Sequence, residues 1–149
     1  MINYVALFLD DESCNKLLKL EQVRLPKQIN NLHCTLCFNP SNTKSFDNFL
    51  GKNFELKVVG YGCNGRNSGF EVELCEKAQN LYSNKDEFGN LKTPHITTSL
   101  KFDAKAVDTS NMFFQPLENP IKLTAKLGYF VRNKANCHIC YESFNEKTL

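Results

Sequence analysis

The chain has 149 residues, of which 42% are hydrophobic and 23% are charged, and its formal net charge is +2. This length suffices to bury one hydrophobic core, so we predict a single domain over residues 1–149. The mild charge argues against a basic nucleic-acid coat, and no apolar run approaches the roughly 20 residues that span a bilayer. The composition therefore indicates an ordinary globular domain without a membrane partner, and it is compatible with a small anionic ligand.

Seven cysteines are present, and an odd number cannot pair completely within one chain. The N-terminal segment MINYVALFLDDES has a short apolar run, but it lacks the basic n-region and the small-residue cleavage site of a signal peptide. We therefore expect a soluble protein with free thiols in a reducing cytosol.

Hydrophobic periodicity predicts strands that alternate with short helices. The first half is predicted to contain a buried strand over 3–9, a helix over 10–23, a strand over 31–38, a helix over 42–51 and a strand over 53–62. The second half is predicted to contain a strand over 69–76, a polar loop over 79–92, a strand over 93–100, a helix over 104–114 and a hairpin of 121–133 with 135–144. Gly51 follows the second helix at the position where glycine commonly ends helices.

The two halves of the chain contain the same order of features. Each has a strand with a His-x-Thr motif, a helical stretch, a strand that ends in Gly-Tyr at 60–61 or 128–129, a turn and a partner strand. Val72 and Cys140 each lie twelve residues after the glycine of their half. This weak duplication predicts two similar β-rich lobes about a pseudo-two-fold axis, and chance similarity between two hairpins is the alternative.

Two Cys-x-x-Cys pairs, at 34 and 37 and at 137 and 140, suggest a zinc site as one interpretation. However, side chains at i and i+3 of a strand point to opposite faces, and neither pair contains the glycine that would favour a tight knuckle. The 99 residues between the pairs also exceed the roughly 12 to 20 of familiar zinc modules. We therefore predict no metal and no other cofactor, with the cysteines as small packing residues.

The same strand alternation favours the histidines as functional residues. It places His33 and Thr35 on one face of their strand and turns Cys34 and Leu36 into apolar packing on the other. A lone histidine is more often structural. Here, however, the His-x-Thr motif occurs twice, at matching places in the two halves.

In the segment PHITTSL, alternation places His95, Thr97 and Ser99 on one face. If a two-fold axis relates the two strands, both imidazoles and both threonine hydroxyls face one cleft. One neutral imidazole can then accept a proton while the other, protonated, donates one. The threonines can donate to the non-bridging oxygens of a phosphate between the rings. We predict that His33, Thr35, His95 and Thr97 are the catalytic residues.

The paired motifs HCTL and HITT, together with the duplicated layout, resemble the two-histidine (2H) phosphoesterase superfamily. The resemblance implies an α+β fold of two pseudo-symmetric β-rich lobes, with flanking helices and a central cleft that holds the four motif residues. It also implies metal-independent hydrolysis or transfer at 2′,3′-cyclic, 2′-5′ or 3′-5′ ribonucleotide linkages.

Within that superfamily, the short chain and the 62 positions from His33 to His95 are most similar to compact bacteriophage enzymes that destroy cyclic oligonucleotide alarms, the anti-CBASS phosphodiesterases. This likeness implies a cyclic oligonucleotide substrate, attack by a ribose 2′-hydroxyl on its own 3′ phosphate, and no reaction with DNA. Two alternatives remain open. One is cleavage of 2′,3′-cyclic ends or 2′-5′ oligoadenylate in RNA processing, and the other is a nucleotide-binding sponge, against which two intact histidines argue.

Further substrate contacts are predicted from strand geometry. Tyr4 can stack on a base, as aromatic side chains do in nucleic-acid sites, with core packing as the equal alternative. Tyr61 and Tyr129 end equivalent strands near the predicted cleft, and Glu142 can accept a hydrogen bond from a base edge. We predict these four as substrate-binding residues.

Overall fold

The computed structural model describes residues 1–133 and 135–142. Within these ranges, no helix is both long enough and apolar enough to cross a bilayer. Over the described residues, the fold is a mostly antiparallel β-sheet of eight strands with few helices, an α+β arrangement as predicted.

The strands vary widely in length, and the helices are short. The strands are β1 Ile2–Leu9, β2 Lys27–Gln28, β3 His33–Phe38, β4 Asn53–Cys63, β5 Asn67–Leu74, β6 His95–Leu100, β7 Gln115–Arg132 and β8 Cys137–Cys140. The helices are α1 Asp11–Leu20, α2 Lys44–Asp47, α3 Glu76–Leu81 and a 3₁₀ helix, Ala106–Asn111.

All eight strands belong to one sheet, in the order β2-β6-β5-β4-β7-β1-β3, and β8 pairs with β7 beside this path. The long strands β4 and β7 pair at the centre, where their apolar side chains alternate along each strand and meet in cross-strand pairs such as Leu56 with Leu123 and Val58 with Ile121. The strands β3 and β6 contact each other although they lie near opposite ends of this order. The sheet therefore curls and brings the two motif strands together.

Two strand pairs of the sheet have the same register. The matching pairs are Phe8 with His33 and Ala6 with Thr35 between β1 and β3, and Glu71 with His95 and Gly69 with Thr97 between β5 and β6. The β1–β3 pair lies on one side of the central β4–β7 pairing and the β5–β6 pair on the other. The two His-x-Thr motifs therefore occupy matching places in the sheet.

A β-bulge follows each motif at the same offset. The extra residue is Leu36 in β3 and Thr98 in β6, each three positions after the histidine. A bulge shifts the alternation of side chains by one residue. Phe38 consequently lines the same cavity as the motif of β3. The Ser99 hydroxyl instead donates a hydrogen bond to the Glu21 carboxylate, as the neighbouring Thr98 hydroxyl does. The prediction that Ser99 shares a face with the motif of β6 is wrong for this reason.

Several predicted elements differ in extent from the structure, among them the first strand of the final hairpin, which begins at Gln115 and not at 121. The helix predicted over 42–51 covers only Lys44–Asp47, because the Gly51 backbone N–H donates to the Leu127 carbonyl of β7 and does not continue the helix. The polar loop predicted over 79–92 begins inside α3, and the helix predicted over 104–114 is the shorter 3₁₀ helix. The last residues of the predicted final strand, 143–144, lie outside the described residues.

The two Gly-Tyr pairs do not occupy matching places in the sheet. Gly128 pairs with Ala6, whereas Gly69, the counterpart of Ala6, pairs with Gly62 and not with Gly60. The strand β8 also lies beside β7 and away from both motif strands, unlike β5. The duplication therefore holds for the motif strands and their neighbours, but not for the hairpins.

A buried carboxylate ties the segment after α1 to β5 and β6. The hydroxyls of Thr98, Ser99 and Ser68 donate to Glu21 Oε2 at 2.5, 2.8 and 2.9 Å, and the Glu21 side chain is 1% exposed. Arg24 Nε donates to Oε1 at 3.1 Å. Burial alone would raise the pKa of Glu21, but the four hydrogen bonds outweigh burial and lower this pKa below its ordinary value. The carboxylate is therefore charged and fixed in place.

Replacing Glu21 with glutamine should lower the free energy of unfolding by about 2–3 kcal/mol, because hydrogen bonds to charged groups are worth about 1.5–3 kcal/mol and an amide accepts at one oxygen only. Urea unfolding followed by circular dichroism measures this change. The matched control is Glu12→Gln, since Glu12 is 80% exposed beside Lys16. The control should cost less than about 1 kcal/mol. Equal losses in the two variants would contradict the structural role of the Glu21 cluster.

Candidate active site

One cavity contains all four side chains of the two His-x-Thr motifs. His33 and Thr35 reach it from β3, and His95 and Thr97 reach it from β6, because these strands meet where the sheet curls. The cavity has a volume of about 420 Å³, within the range of small-molecule sites. The structure therefore brings together the four residues that the sequence predicts as catalytic.

The backbone holds both imidazoles in the same way. The Nδ1 atom of His33 lies 2.6 Å from the carbonyl oxygen of Asn31, and that of His95 lies 2.8 Å from the carbonyl oxygen of Thr93. A carbonyl oxygen can only accept a hydrogen bond, so Nδ1 carries a proton in each ring. The Nε2 atom is then left to accept a proton when the ring is neutral, or to donate one when it is charged.

The surroundings lower the pKa of both histidines below the ordinary 6.5. For His33, burial is the largest cause of the low pKa, the Asn31 carbonyl opposes it, and the charge of His95 lowers the pKa further. For His95, burial is again the largest cause, the Thr93 carbonyl opposes it, and Lys92 adds to the lowering. An anion bound between the rings would favour their charged forms and raise both pKa values.

Aromatic rings fix the position of His33. Tyr4 stacks on His33 with ring centroids 4.9 Å apart and on Phe130 at 4.8 Å, and these two partners come from the strands on either side of β1. Phe8 contacts the same imidazole at 5.4 Å. Burial is the main cause that raises the pKa of Tyr4 to about 12. Tyr4 thus lines the cavity, but base stacking on it would require one of these protein rings to move away.

The two motif threonines differ in their surroundings. Within the described residues, the Thr35 side chain makes no hydrogen bond, so its hydroxyl is available to a ligand. The Thr97 hydroxyl instead donates to Thr109 Oγ1 at 2.8 Å and lies 3.3 Å from the carbonyl oxygen of Ala106. The two halves of the site are therefore not equivalent at the threonines.

Two lysines and an apolar wall complete the cavity. Lys85 and Lys92 line it, and no aspartate or glutamate does so within the described residues. The Tyr82 hydroxyl donates to the carbonyl oxygen of Lys92 at 2.6 Å and so fixes this part of the loop. The apolar lining residues are Ile29, Phe38, Ala106 and Val107. This combination suits an anion that carries an apolar or aromatic group.

Sequence reasoning missed Phe38 and the two lysines. Strict alternation places Phe38 on the face of Cys34, and only the bulge at Leu36 turns it towards the cavity. The lysines lie in a loop whose sequence has no hydrophobic periodicity, so the direction of their side chains cannot be predicted from it. The one available clue was that Lys92 lies three residues before His95.

Three predicted substrate-binding residues do not line this cavity. Tyr61 is 7% exposed, and its hydroxyl lies 2.8 Å from Ser68 Oγ. Tyr129 is 1% exposed and donates to Asp47 at 2.6 Å. Glu142 is exposed just after β8. The tyrosines are buried because the strands that carry them, β4 and β7, form the centre of the sheet, so the structure does not bring these three residues to the histidines.

All seven cysteines are free thiols. Cys34 is fully buried behind its strand, and burial is the main cause that raises its pKa to about 12, which disfavours the thiolate that binds metals. In the part of the chain that the structure describes, no group of three or more His, Cys, Asp or Glu side chains is placed to hold a metal ion.

Comparison with known proteins gives no independent assignment: no protein-family model matches the chain, and no curated protein is significantly similar to it in sequence. A function can therefore be proposed only from the two sequence motifs and from the geometry and chemistry of the cavity.

Both cavity histidines should titrate with midpoints below pH 6.5, because burial disfavours their charged forms. The Hε1 signals in proton NMR measure these midpoints. The variants His33→Asn and His95→Asn assign the signals, and asparagine keeps an N–H donor for the backbone carbonyl. Midpoints at or above 6.5 for both residues would contradict the environment described here.

The same low pKa values make stability depend on pH. The unfolded chain, whose histidine pKa is near 6.5, takes up protons at a higher pH than the folded chain does. Stability that is present above about pH 6.5 is therefore lost as the pH falls towards the lowered pKa values. Urea unfolding between about pH 7.5 and about pH 5 should show a shallower loss for His33→Asn/His95→Asn than for the wild type. If the wild type and the double variant lost stability equally as the pH falls, these histidines would not be the cause of the pH dependence.

Proposed function

We propose that the chain is a metal-independent phosphodiesterase of the 2H type that cleaves cyclic oligonucleotides. The observation that carries this proposal is the matched pair of imidazoles that face one cavity. In each ring, Nδ1 is hydrogen-bonded to the backbone carbonyl two residues earlier. A single histidine in this setting could be structural. Two histidines in the same setting, on strand pairs of the same register, suit a reaction in which one acts as the acid and the other as the base.

The two Nε2 atoms supply the base and the acid for displacement at phosphorus. The neutral imidazole accepts the proton of a ribose 2′-hydroxyl, whose oxygen forms a bond to the adjacent 3′ phosphorus. The charged imidazole donates its proton to the 5′ oxygen as the P–O5′ bond breaks. The product has a 2′,3′-cyclic end, which water can open with the two roles exchanged. DNA lacks the 2′-hydroxyl and is inert in this scheme.

Groups around the rings can hold the phosphate. The Thr35 hydroxyl is available to donate to a non-bridging oxygen, and Thr97 can donate if its hydroxyl turns from Thr109. Lys92 places a positive charge beside His95. Donors and charges that are already in place stabilise the developing charge of the transition state without reorganisation.

The order of the sheet supports a 2H-like arrangement of two lobes. The strands β4, β5 and β6 run outward from the centre on one side, and β7, β1 and β3 do so on the other, with the motif strand third in each set. The equal registers of the two outer pairs add to this symmetry. We assign each set of three strands to one lobe and the cavity to the cleft between them.

The lining of the cavity favours a nucleotide over a bare phosphate. Phe38 and Val107 are 60% and 52% exposed at the cavity and offer apolar surface to a base. Stacking on an aromatic side chain is worth about 1–3 kcal/mol per base. A cyclic oligonucleotide is the leading substrate, and 2′,3′-cyclic ends or 2′-5′ oligoadenylate would be cut by the same chemistry. A sponge that only binds the nucleotide is the alternative without turnover.

The narrower proposal is that this activity destroys the cyclic oligonucleotide signals of CBASS-type immunity. It is supported by the compact chain and the spacing of its two motifs. The reaction would then take place in a reducing cytosol, that of the host if the chain is viral, where free thiols such as these seven persist.

Turnover should be seen with EDTA present on at least one member of a panel of cyclic di- and trinucleotides, 2′-5′ oligoadenylate and 2′,3′-cyclic mononucleotides. Each of His33→Asn and His95→Asn should lower kcat by about 10²- to 10⁴-fold, the usual worth of a general acid or base. Chromatography of the products identifies the bond that is cut, and a 2′-deoxy analogue should remain intact. Binding without turnover in the wild type would leave the sponge as the function.

Removing the charge at the cavity rim should weaken substrate binding. Lys92→Met is expected to raise KM by about threefold or more at low salt, with a smaller effect at high salt, because focused charge attracts anions and salt screens it. Steady-state kinetics at two ionic strengths measure both effects. Lys57→Met, on the exposed side of β4, is the matched control and should behave as the wild type. Equal effects of the two changes would point to net charge alone.

A further inference from the structure

The Thr97 hydroxyl adjoins a buried chain of polar groups. Thr97 donates to Thr109 Oγ1 at 2.8 Å, and Asn67 Nδ2 donates to the same oxygen at 3.0 Å. Asn67 Nδ2 also donates to the carbonyl oxygen of Lys105 at 2.8 Å. Thr109 is fully buried, and Asn67 is 1% exposed. Neither residue lines the cavity, and the side-chain hydrogen bonds that link them to it run through Thr97.

The orientation of the Asn67 amide is fixed. The Lys105 carbonyl can only accept, so the atom of Asn67 that faces it must be the amide nitrogen. The same nitrogen then donates to Thr109, whose oxygen has a second lone pair for Thr97. Thr109 also has a hydroxyl proton of its own, and a contact between two hydroxyls can be made by either proton.

The hydrogen bond between the two hydroxyls can be made in two directions. In the one that the structure has, the Thr97 proton points to Thr109 and away from the cavity. If both hydroxyls turn, Thr109 donates to Thr97, and the Thr97 proton becomes available to a phosphate oxygen. No covalent bond forms or breaks, and no buried hydroxyl loses its partner, so the change avoids the cost of an unpaired polar group.

The packing around Thr109 is specific to this half of the site. A Cβ on Gly69, the residue paired with Thr97, would lie 2.8 Å from Thr109 Cγ2 and 2.6 Å from the Ile96 carbonyl oxygen. The counterpart of Gly69 in the other half is Ala6, and Thr35 has no comparable hydroxyl partner in the described residues. The missing Cβ is therefore what admits the 3₁₀ helix and its threonine at this place.

We propose that Thr109, oriented by Asn67, is a positioning residue that turns the Thr97 hydroxyl towards the phosphate. The inference rests on the proposed function, because it concerns a ligand of that cavity. Without Thr109, the carbonyl oxygen of Ala106, at 3.3 Å, is the acceptor that remains to Thr97. A carbonyl cannot exchange roles, since it has no proton to give. The Thr97 proton would then stay directed at the backbone.

The test is a double-mutant cycle in kcat/KM. Thr109→Val keeps the shape of the side chain and removes its hydroxyl, and it should lower kcat/KM by about threefold or more, as couplings within one hydrogen-bond network do. Thr109→Ser restores the hydroxyl and should recover most of the loss. In a Thr97→Val background, Thr109→Val should cause no further loss. Assays are run at a temperature where circular dichroism shows every variant to be folded.

Ser110→Ala is the matched control, because Ser110 lies on the same 3₁₀ helix and its hydroxyl donates to the Val107 carbonyl instead. It should leave kcat/KM as in the wild type. If Thr109→Val lowered kcat/KM equally in the wild type and in the Thr97→Val background, the proposal would be overturned. Such a result would show that Thr109 supports the fold only. Failure of Thr109→Ser to recover activity would overturn it as well.

A failure of the proposed function would be seen separately, as a wild type that cuts no member of the substrate panel. The positioning role is then tested by titrating the protein with inorganic phosphate and following the proton NMR signals of the His95 ring to measure binding. Thr109→Val should weaken phosphate binding when Thr97 is present and have no effect in Thr97→Val. Equal weakening in both backgrounds, or no phosphate binding by the wild type, would overturn the positioning role.

Discussion

The pairing of β4 with β7 is the constraint on which the rest of the molecule depends. Both strands alternate apolar and polar residues, so their pairing buries one continuous face, with Leu56 against Leu123. A slip of one residue would turn that face to solvent. The fixed register sets the positions of the outer strands, and the curl of the sheet then brings β3 to β6. The cavity is a product of this curl.

Within the cavity, two opposing effects act on each imidazole. Burial disfavours the charged ring, whereas the hydrogen bond from Nδ1 to a backbone carbonyl favours it. Burial prevails in the free protein, so both rings are biased towards the neutral form. A phosphate between the two rings would favour their charged forms and so raise both pKa values.

Buried polar clusters define the half of the site built on β5 and β6. The Glu21 carboxylate accepts hydrogen bonds from three hydroxyls of these strands, and Asn67 joins β5 to the 3₁₀ helix. Buried polar groups are costly unless each is paired, so such clusters tolerate few alternative arrangements. Around His33, the other half is instead packed by aromatic rings. The two halves share a register but not a means of support.

The sequence by itself determined the local features. Alternation of apolar residues placed most strands, put His33 and Thr35 on one face and buried Cys34 behind them, because a strand has a period of two that can be read directly. The repeated motif also indicated that His33 and His95 belong together. These inferences needed only short-range geometry.

Only the tertiary structure decided the remainder. The bulges at Leu36 and Thr98 arise from pairing with a neighbouring strand, so no periodicity within the chain reveals that they bring Phe38 to the cavity and turn Ser99 to Glu21. Tyr61 and Tyr129 are buried because their strands became central, which depends on the order of the sheet. Contacts between residues distant in sequence are fixed by the packing of the whole sheet, so the hydrophobic pattern of a single strand cannot predict them.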